Sequence, residues 1–130
     1  MGTGRPRPVV LDAGALIAFE RGDKRVRALA RLAGDTDAVL VVPAAALAQA
    51  WRDGQRQARL AALMASRTSV VDMLDEPGAK ATGVLCGRSR TADVVDASVV
   101  VSARLRRAPV VTGDPDDLRR VDPTLEVYAL

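Results

Sequence analysis

Aspartates in three separate segments carry the chemistry of this sequence. Asp12 ends the apolar run Val9-Val10-Leu11. Asp93 and Asp96 stand three apart at the head of a long apolar stretch. Asp114 follows Val110-Val111-Thr112-Gly113. An aspartate beside a buried run needs a partner, because an isolated buried charge is costly. Clustered carboxylates repel one another unless shared protons or a cation neutralise them. An all-oxygen donor set suits hard ions such as Mg²⁺ or Mn²⁺. Such an ion activates water and stabilises an in-line displacement at phosphorus.

Each acid also has a plainer reading. Asp12 caps a helix beginning at Ala13, or it is a site residue; three apolar neighbours before it favour the site. Asp93 reads equally well as an N-cap. Asp96 is set among Val94, Val95, Ala97 and Val99, where a solvated face fits poorly. Asp114 and Asp117 fall in a proline-bearing turn, where Asp is common for local reasons. Asp116 reads as solvated or capping. Thr112 is either an ordinary strand residue or a hydrogen-bond partner for a carboxylate. Arg88 and Arg90, in a basic stretch before the acidic helix, are solvated charges or contacts to phosphate. Trp51, the only tryptophan, reads as packing before base stacking.

Composition narrows the chemistry. There is no histidine, so triads and imidazole–metal sites are excluded. The single Cys86 forms no internal disulfide and no cysteine zinc site. Its Ala/Val/Leu surroundings read as core. Lys24 and Lys80 are the only lysines among 19 basic residues. Arginine favours bidentate phosphate contacts, so a net charge of +3 leans towards nucleic acid. An Arg-rich solvated surface explains the charge equally well. No apolar run reaches the length of a membrane span, and no signal peptide precedes the first strand. A reducing cytoplasm is the expected setting.

Positioning these acids requires alternating strands and helices. Strands are expected over 8–12, 38–42, 68–71, 109–112 and 125–128. Pro43 is expected to stop the second. Helices are expected over 13–20, from the Asp23 cap to Gly34-Asp35-Thr36-Asp37, and over 44–52, 55–66, 75–86, 93–106 and 116–121. Gly87-Arg88-Ser89-Arg90-Thr91 reads as a loop. Residues 1–7 read as a disordered lead and 8–130 as one domain. With 48% hydrophobic but 2% aromatic residues, the core must be built from Ala, Val and Leu. The rhythm predicts an α/β fold: a three-layer α/β/α sandwich around a mainly parallel sheet of about five strands. In such a sheet Asp12 and Asp114 reach the same edge. The helix headed by Asp93 and Asp96 leads into the Asp114 strand, so its start lies there too.

The segments Val10-Leu11-Asp12-Ala13-Gly14-Ala15-Leu16-Ile17-Ala18, Asp93-Val94-Val95-Asp96-Ala97 and Val111-Thr112-Gly113-Asp114-Pro115-Asp116-Asp117-Leu118 resemble PIN-domain ribonucleases. The resemblance is greatest to the VapC toxins of bacterial VapBC toxin–antitoxin systems. It implies an endoribonuclease dependent on Mg²⁺ or Mn²⁺, acting on tRNA or rRNA. It implies a homodimer and a VapB-like antitoxin. By the same resemblance Asp12, Asp96 and Asp114 match the metal-site acids, with Asp93 and Asp117 next. Gln49 stands where the family usually carries Glu; its amide oxygen can ligate but brings no charge. Gly14 stands where Ser or Thr is common. A PIN-like module that binds RNA or an antitoxin without catalysis is the alternative reading. A receiver domain would need a second acid beside the first and a lysine after the last buried strand. A haloacid-dehalogenase-like phosphatase would need Asp at position 14.

Overall fold

The apolar runs become the inner strands of one all-parallel sheet. The computed structural model describes residues 7–36 and 38–130. Residues 1–6 of the expected lead, and Asp37, lie outside the described residues. The strands are β1 (Pro8–Leu11), β2 (Val39–Pro43), β3 (Ser69–Asp72), β4 (Val110–Thr112) and β5 (Val127–Ala129). Their order across the sheet is β3-β2-β1-β4-β5. Every neighbouring pair is parallel. A parallel sheet covered on both faces needs continuous apolar strands rather than alternating ones. Val10, Leu11, Leu40, Val41, Val42, Val110 and Val111 are accordingly all buried. The edge strands are less covered, and Val70 and Tyr128 are exposed.

The helices are α1 (Ala13–Glu20), α2 (Lys24–Thr36), α3 (Ala44–Ala50), α4 (Ala58–Ala65), α5 (Glu76–Ser89), α6 (Val94–Arg106) and α7 (Pro115–Val121). The sheet grows one way from β1 through β2 to β3, and the other way from β4 to β5. Right-handed crossovers then put helices on opposite faces, completing the three layers. The direction reverses between β1 and β4. In parallel sheets such a reversal opens a crevice at the carboxyl ends of the two strands. Leu11 pairs with Val111, and the Asp12 N–H donates to the Val111 carbonyl at 3.2 Å. Asp12 and the β4–α7 turn therefore meet at that crevice.

Most element boundaries follow the sequence reading; the departures have local causes. Pro43 does not stop β2 from outside but is its last residue, pairing with Asp72 and preceding α3. A proline is tolerated there because no helix N–H is required of it. α5 runs past Cys86 through Gly87, Arg88 and Ser89. The Ser89 hydroxyl donates back to the Leu85 carbonyl, and Arg90 ends the helix in the left-handed region at φ 55°. The expected basic loop is thus mostly helix, and Arg88 stands on α5. α3 ends at Ala50 because the Gln57 amide donates to the Ala50 carbonyl at 2.9 Å. The same Gln57 accepts from the Arg52 and Asp53 N–H groups, so residues 51–57 form a turn and α4 starts at Ala58. Trp51 lies over Gly54 in that turn, where a Cβ would come within 2.7 Å of the indole. Cys86 is half-buried against the core, as expected.

The far end of the sheet is tied by Asp122, a buried acid outside the crevice. It accepts from the Thr124 N–H at 2.9 Å, the Thr124 hydroxyl at 2.6 Å and Arg104 Nε at 2.9 Å. Burial alone would push its carboxyl up, but the Thr124 and Arg104 bonds outweigh burial and hold it below the usual range. Its stabilisation is present above the ordinary carboxylate pKa and is lost as pH falls. Asp122→Ala orphans these donors and is expected to cost about 2 kcal/mol. Urea denaturation at neutral pH measures it; an unchanged midpoint would show that the clamp does not stabilise the fold.

Candidate active site at the carboxyl edge

Asp12, Asp93 and Asp114 each stand at the N-cap of the helix that follows. The Asp12 carboxylate accepts from the Ala15 N–H at 2.8 Å. Asp93 accepts from the Asp96 N–H at 2.9 Å, and Asp114 from the Asp117 N–H at 3.3 Å. The capping reading raised for Asp12 and Asp93 therefore holds, and Asp114, read as a turn residue, is a cap as well. It does not displace the site reading, because the three helix starts converge on one crevice. Helix N-termini carry positive partial charge, which favours acids there.

Thr112 links two of the acids. It is fully buried at the end of β4, and its Oγ1 accepts from the Asp114 N–H at 2.9 Å. Its hydroxyl also stands close enough to the Asp12 carboxylate to favour the charged form. Of its two readings, partner to a carboxylate is favoured by its lowering effect on Asp12.

Glycines allow the close approach. A Cβ on Gly14 would lie 3.2 Å from the Gly113 nitrogen and 3.3 Å from its Cα. The first turn of α1 thus packs directly on the β4–α7 turn. Gly14 supplies this packing where a Ser or Thr would supply a hydroxyl. The neighbours of a larger residue would have to yield by a few tenths of an ångström.

The electrostatics join five acids. Asp12 is only 6% exposed, and burial raises its carboxyl above the ordinary value. Thr112 and the N–H groups of Ala15 and Gly113 oppose that rise, while Asp114 adds to it. Asp96 is pushed up to about 7, first by burial and then by Asp93, Asp117 and Asp12. Asp117 is raised chiefly by the facing Asp114 carboxyl. These acids feel one another, as a shared site requires. Among the described residues, however, no three acidic side chains are gathered tightly enough to grip one ion as they stand. Three of them are turned to their own helix caps.

The donor set still fits a hard cation in kind. It offers carboxylate oxygens alone, and the charges cost free energy where they are. Turning a carboxylate from a cap towards an ion exchanges one electrostatic partner for a stronger one.

The basic candidates separate. Arg90 lines a cavity of about 280 Å³ together with Asp93, Asp96 and Asp117. Arg88 does not; it faces a larger groove of about 700 Å³ floored by Val84, Leu85, Val101 and Leu105. Gln49 is exposed near the end of α3, and none of its hydrogen bonds reaches these acids. Arg120, which the sequence reading passed over, lines both cavities. Its signal was the three-residue step from Asp117 on α7.

A parallel α/β sandwich with carboxylates at its switch point defines an acid-lined α/β class of site. The PIN domain family model matches residues 9–123, and this chain belongs to that family. A search of curated proteins returned no match. Solved structures share the fold. VapBC2 from Rickettsia felis, bound to a promoter DNA fragment, aligns with TM-score 0.70 at 13% identity, covering 95% of this chain and 98% of that one. VapC20 from Mycobacterium tuberculosis, a sarcin–ricin loop cleaving toxin, aligns with TM-score 0.61 at 19% identity, covering 82% and 91%. FitAcB from Neisseria gonorrhoeae aligns with TM-score 0.61 at 15% identity, covering 92% and 96%.

Proposed function

We propose that this chain is a divalent-metal-dependent endoribonuclease, the toxin of a toxin–antitoxin pair. The observation that carries the reading is the convergence of Asp12, Asp93, Asp96, Asp114 and Asp117 on one crevice, with Asp96 held at about 7. Asp12, Asp96 and Asp114 would hold Mg²⁺ or Mn²⁺, with Asp93 and Asp117 completing the set. When bound, the ion lowers the pKa of a water and stabilises charge at phosphorus. Thr112 fixes Asp12 and the start of the β4–α7 turn. Arg90 neutralises incoming phosphate at the rim. Cleavage of structured RNA, compared with Mn²⁺ and with chelator, tests the reading. Cleavage unaffected by chelator would remove the metal from it.

Two of the relatives suggest the partners. VapBC2 is bound to a DNA fragment from its promoter, and VapC20 is a sarcin–ricin loop cleaving toxin. A VapB-like antitoxin and a tRNA or rRNA substrate follow for this chain as expectations. No helix among the described residues is long and apolar enough to cross a membrane. We read the setting as cytoplasmic and 8–130 as one domain.

A homodimer fits the exposed apolar residues Met73, Leu74 and Leu105, clustered where α5 and α6 meet the end of β3. Leu105 is 77% exposed, so Leu105→Asp should leave the fold intact. It is expected to turn a dimer into a monomer in sedimentation velocity. A dimer that survives would place the interface elsewhere.

A second reading rests on Gln49. Its exposed, uncharged amide leaves the crevice one carboxylate poorer than the family pattern. On that reading the chain binds RNA or an antitoxin and does not cut. Metal titration separates the two.

A further inference from the structure

The small cavity beside the acids carries two guanidinium groups as well as carboxylates. It lies where the end of α5, the start of α6 and α7 meet. Ser89, Arg90, Thr91 and Arg120 line one part; Asp93, Asp96 and Asp117 line the rest. Arg120 Nη1 lies 3.4 Å from Asp117 Oδ1, and the Arg120 side chain is 80% exposed. One long bond leaves most of its donors facing solvent. Arg90 makes no ion pair among the described residues. Two forked donors at the mouth of an acidic crevice match a phosphate bidentately. They also offset the repulsion that the carboxylates exert on an approaching polyanion.

We propose that Arg120 and Arg90 together seat an RNA backbone phosphate beside the carboxylate cluster, with Asp117 holding Arg120 in readiness. The inference rests on the nuclease reading and adds the residues that bring the strand to the acids. Arg88 is left out, because it opens on the neighbouring groove and not on this cavity.

The Arg90 position allows a clean test. Its left-handed backbone is one that glycine adopts without a Cβ penalty. Arg90→Gly therefore removes the guanidinium while the helix end is kept, and it should melt no lower than wild type. Arg120→Ala removes the second. Arg67→Ala, at the start of the β3 edge and so at the opposite end of the sheet, is the charge-matched control.

The probe is a short fluorescein-labelled single-stranded RNA, followed by anisotropy over a salt series. It is used first in chelator, then with Mn²⁺ in the Asp12→Asn background so that the strand stays intact. Arg120→Ala and Arg90→Gly are each expected to weaken binding several-fold, independently of sequence. Each should flatten the slope of log affinity against log salt by about 0.7 for every phosphate no longer neutralised. Mn²⁺ affinity, read calorimetrically on the otherwise wild-type chain, should be equal or tighter in Arg120→Ala, because a cation has left the acids.

Variants that track Arg67→Ala would overturn the phosphate seat and leave the nuclease reading standing. Loss of Mn²⁺ and RNA binding together in Arg120→Ala would make it a positioning residue for the acids, and would also overturn the seat. A wild-type chain that cuts no RNA at any Mn²⁺ concentration sinks the nuclease reading. If that chain also fails to bind the probe, the seat falls with it.

Discussion

Asp12→Asn is expected to lower RNA cleavage in Mn²⁺ by about 10²- to 10³-fold while leaving the fold intact. The size is that of removing one preorganised charge-stabilising group from a reacting centre. The fold survives because Asn and Asp are equivalent N-caps. The amide oxygen keeps the 2.8 Å bond from the Ala15 N–H. The nearby Thr112 hydroxyl, able both to donate and to accept, tolerates the new amide. Burial already disfavours the Asp12 charge, so a neutral isostere costs little stability. Initial rates and a melting curve on the same preparation measure both halves. Cleavage within a few-fold of wild type would take Asp12 out of the site.

Asp96 governs the second large effect, on stability against pH. Its carboxyl stands at about 7, against 3.8 unperturbed, because of burial first and then the charges of Asp93, Asp117 and Asp12. Between those values the native chain holds a proton that the unfolded chain has released. Stability without metal therefore falls as pH rises from about 4 to about 7, then levels. The full shift corresponds to about 4 kcal/mol at 1.36 kcal/mol per unit. Partial exposure and salt screening reduce the expected effect to about 1–2 kcal/mol. Asp96→Asn removes the largest part of the penalty, so it should be the more stable protein above pH 7 and show a shallower profile, the raised Asp12 and Asp117 carboxyls leaving the rest of the slope. Asp23, Asp72 and Asp122 are held low and titrate below this window. Urea midpoints across the window in chelator decide it. A midpoint that climbs with pH, or no gain from Asp96→Asn at high pH, contradicts the coupling.

Much of this architecture is legible in the sequence. Val9-Val10-Leu11 and Val110-Val111 are strands buried on both faces, and such runs read directly from the residues. Parallel strands force Asp12 and Asp114 to one edge, so their meeting follows from topology alone. The three-apart step puts Asp93 and Asp96 together for the same kind of reason.

What stays hidden depends on side-chain direction and on partners distant in sequence. Arg88 and Arg90 are neighbours in the chain but face different cavities, because α5 continues to Ser89 and turns sharply at Arg90. No loop reading anticipates that split. Gly14 reads as a missing hydroxyl; its close approach to Gly113 is visible only when β1 and β4 are side by side. The boundary at Ala50 depends on Gln57 capping a carbonyl seven residues back. Helix ends set by such side-chain bonds are outside periodicity arguments. The Asp122 clamp escapes the sequence because its partner Arg104 lies on another helix.

If the crevice acids exist to bind a divalent cation, the ion must displace the proton that now neutralises part of their charge. Calorimetric titration of Mn²⁺ into the metal-free protein, in buffers of different ionisation enthalpy, reads both events at once. Saturable binding is expected at or below millimolar metal. Proton release should be larger at pH 6 than at pH 8, because Asp96 gives up its proton to the ion. Asp96→Asn should bind more weakly and release fewer protons. An absence of binding at millimolar Mn²⁺ would contradict the metal site and leave the chain as a binding module on a PIN scaffold.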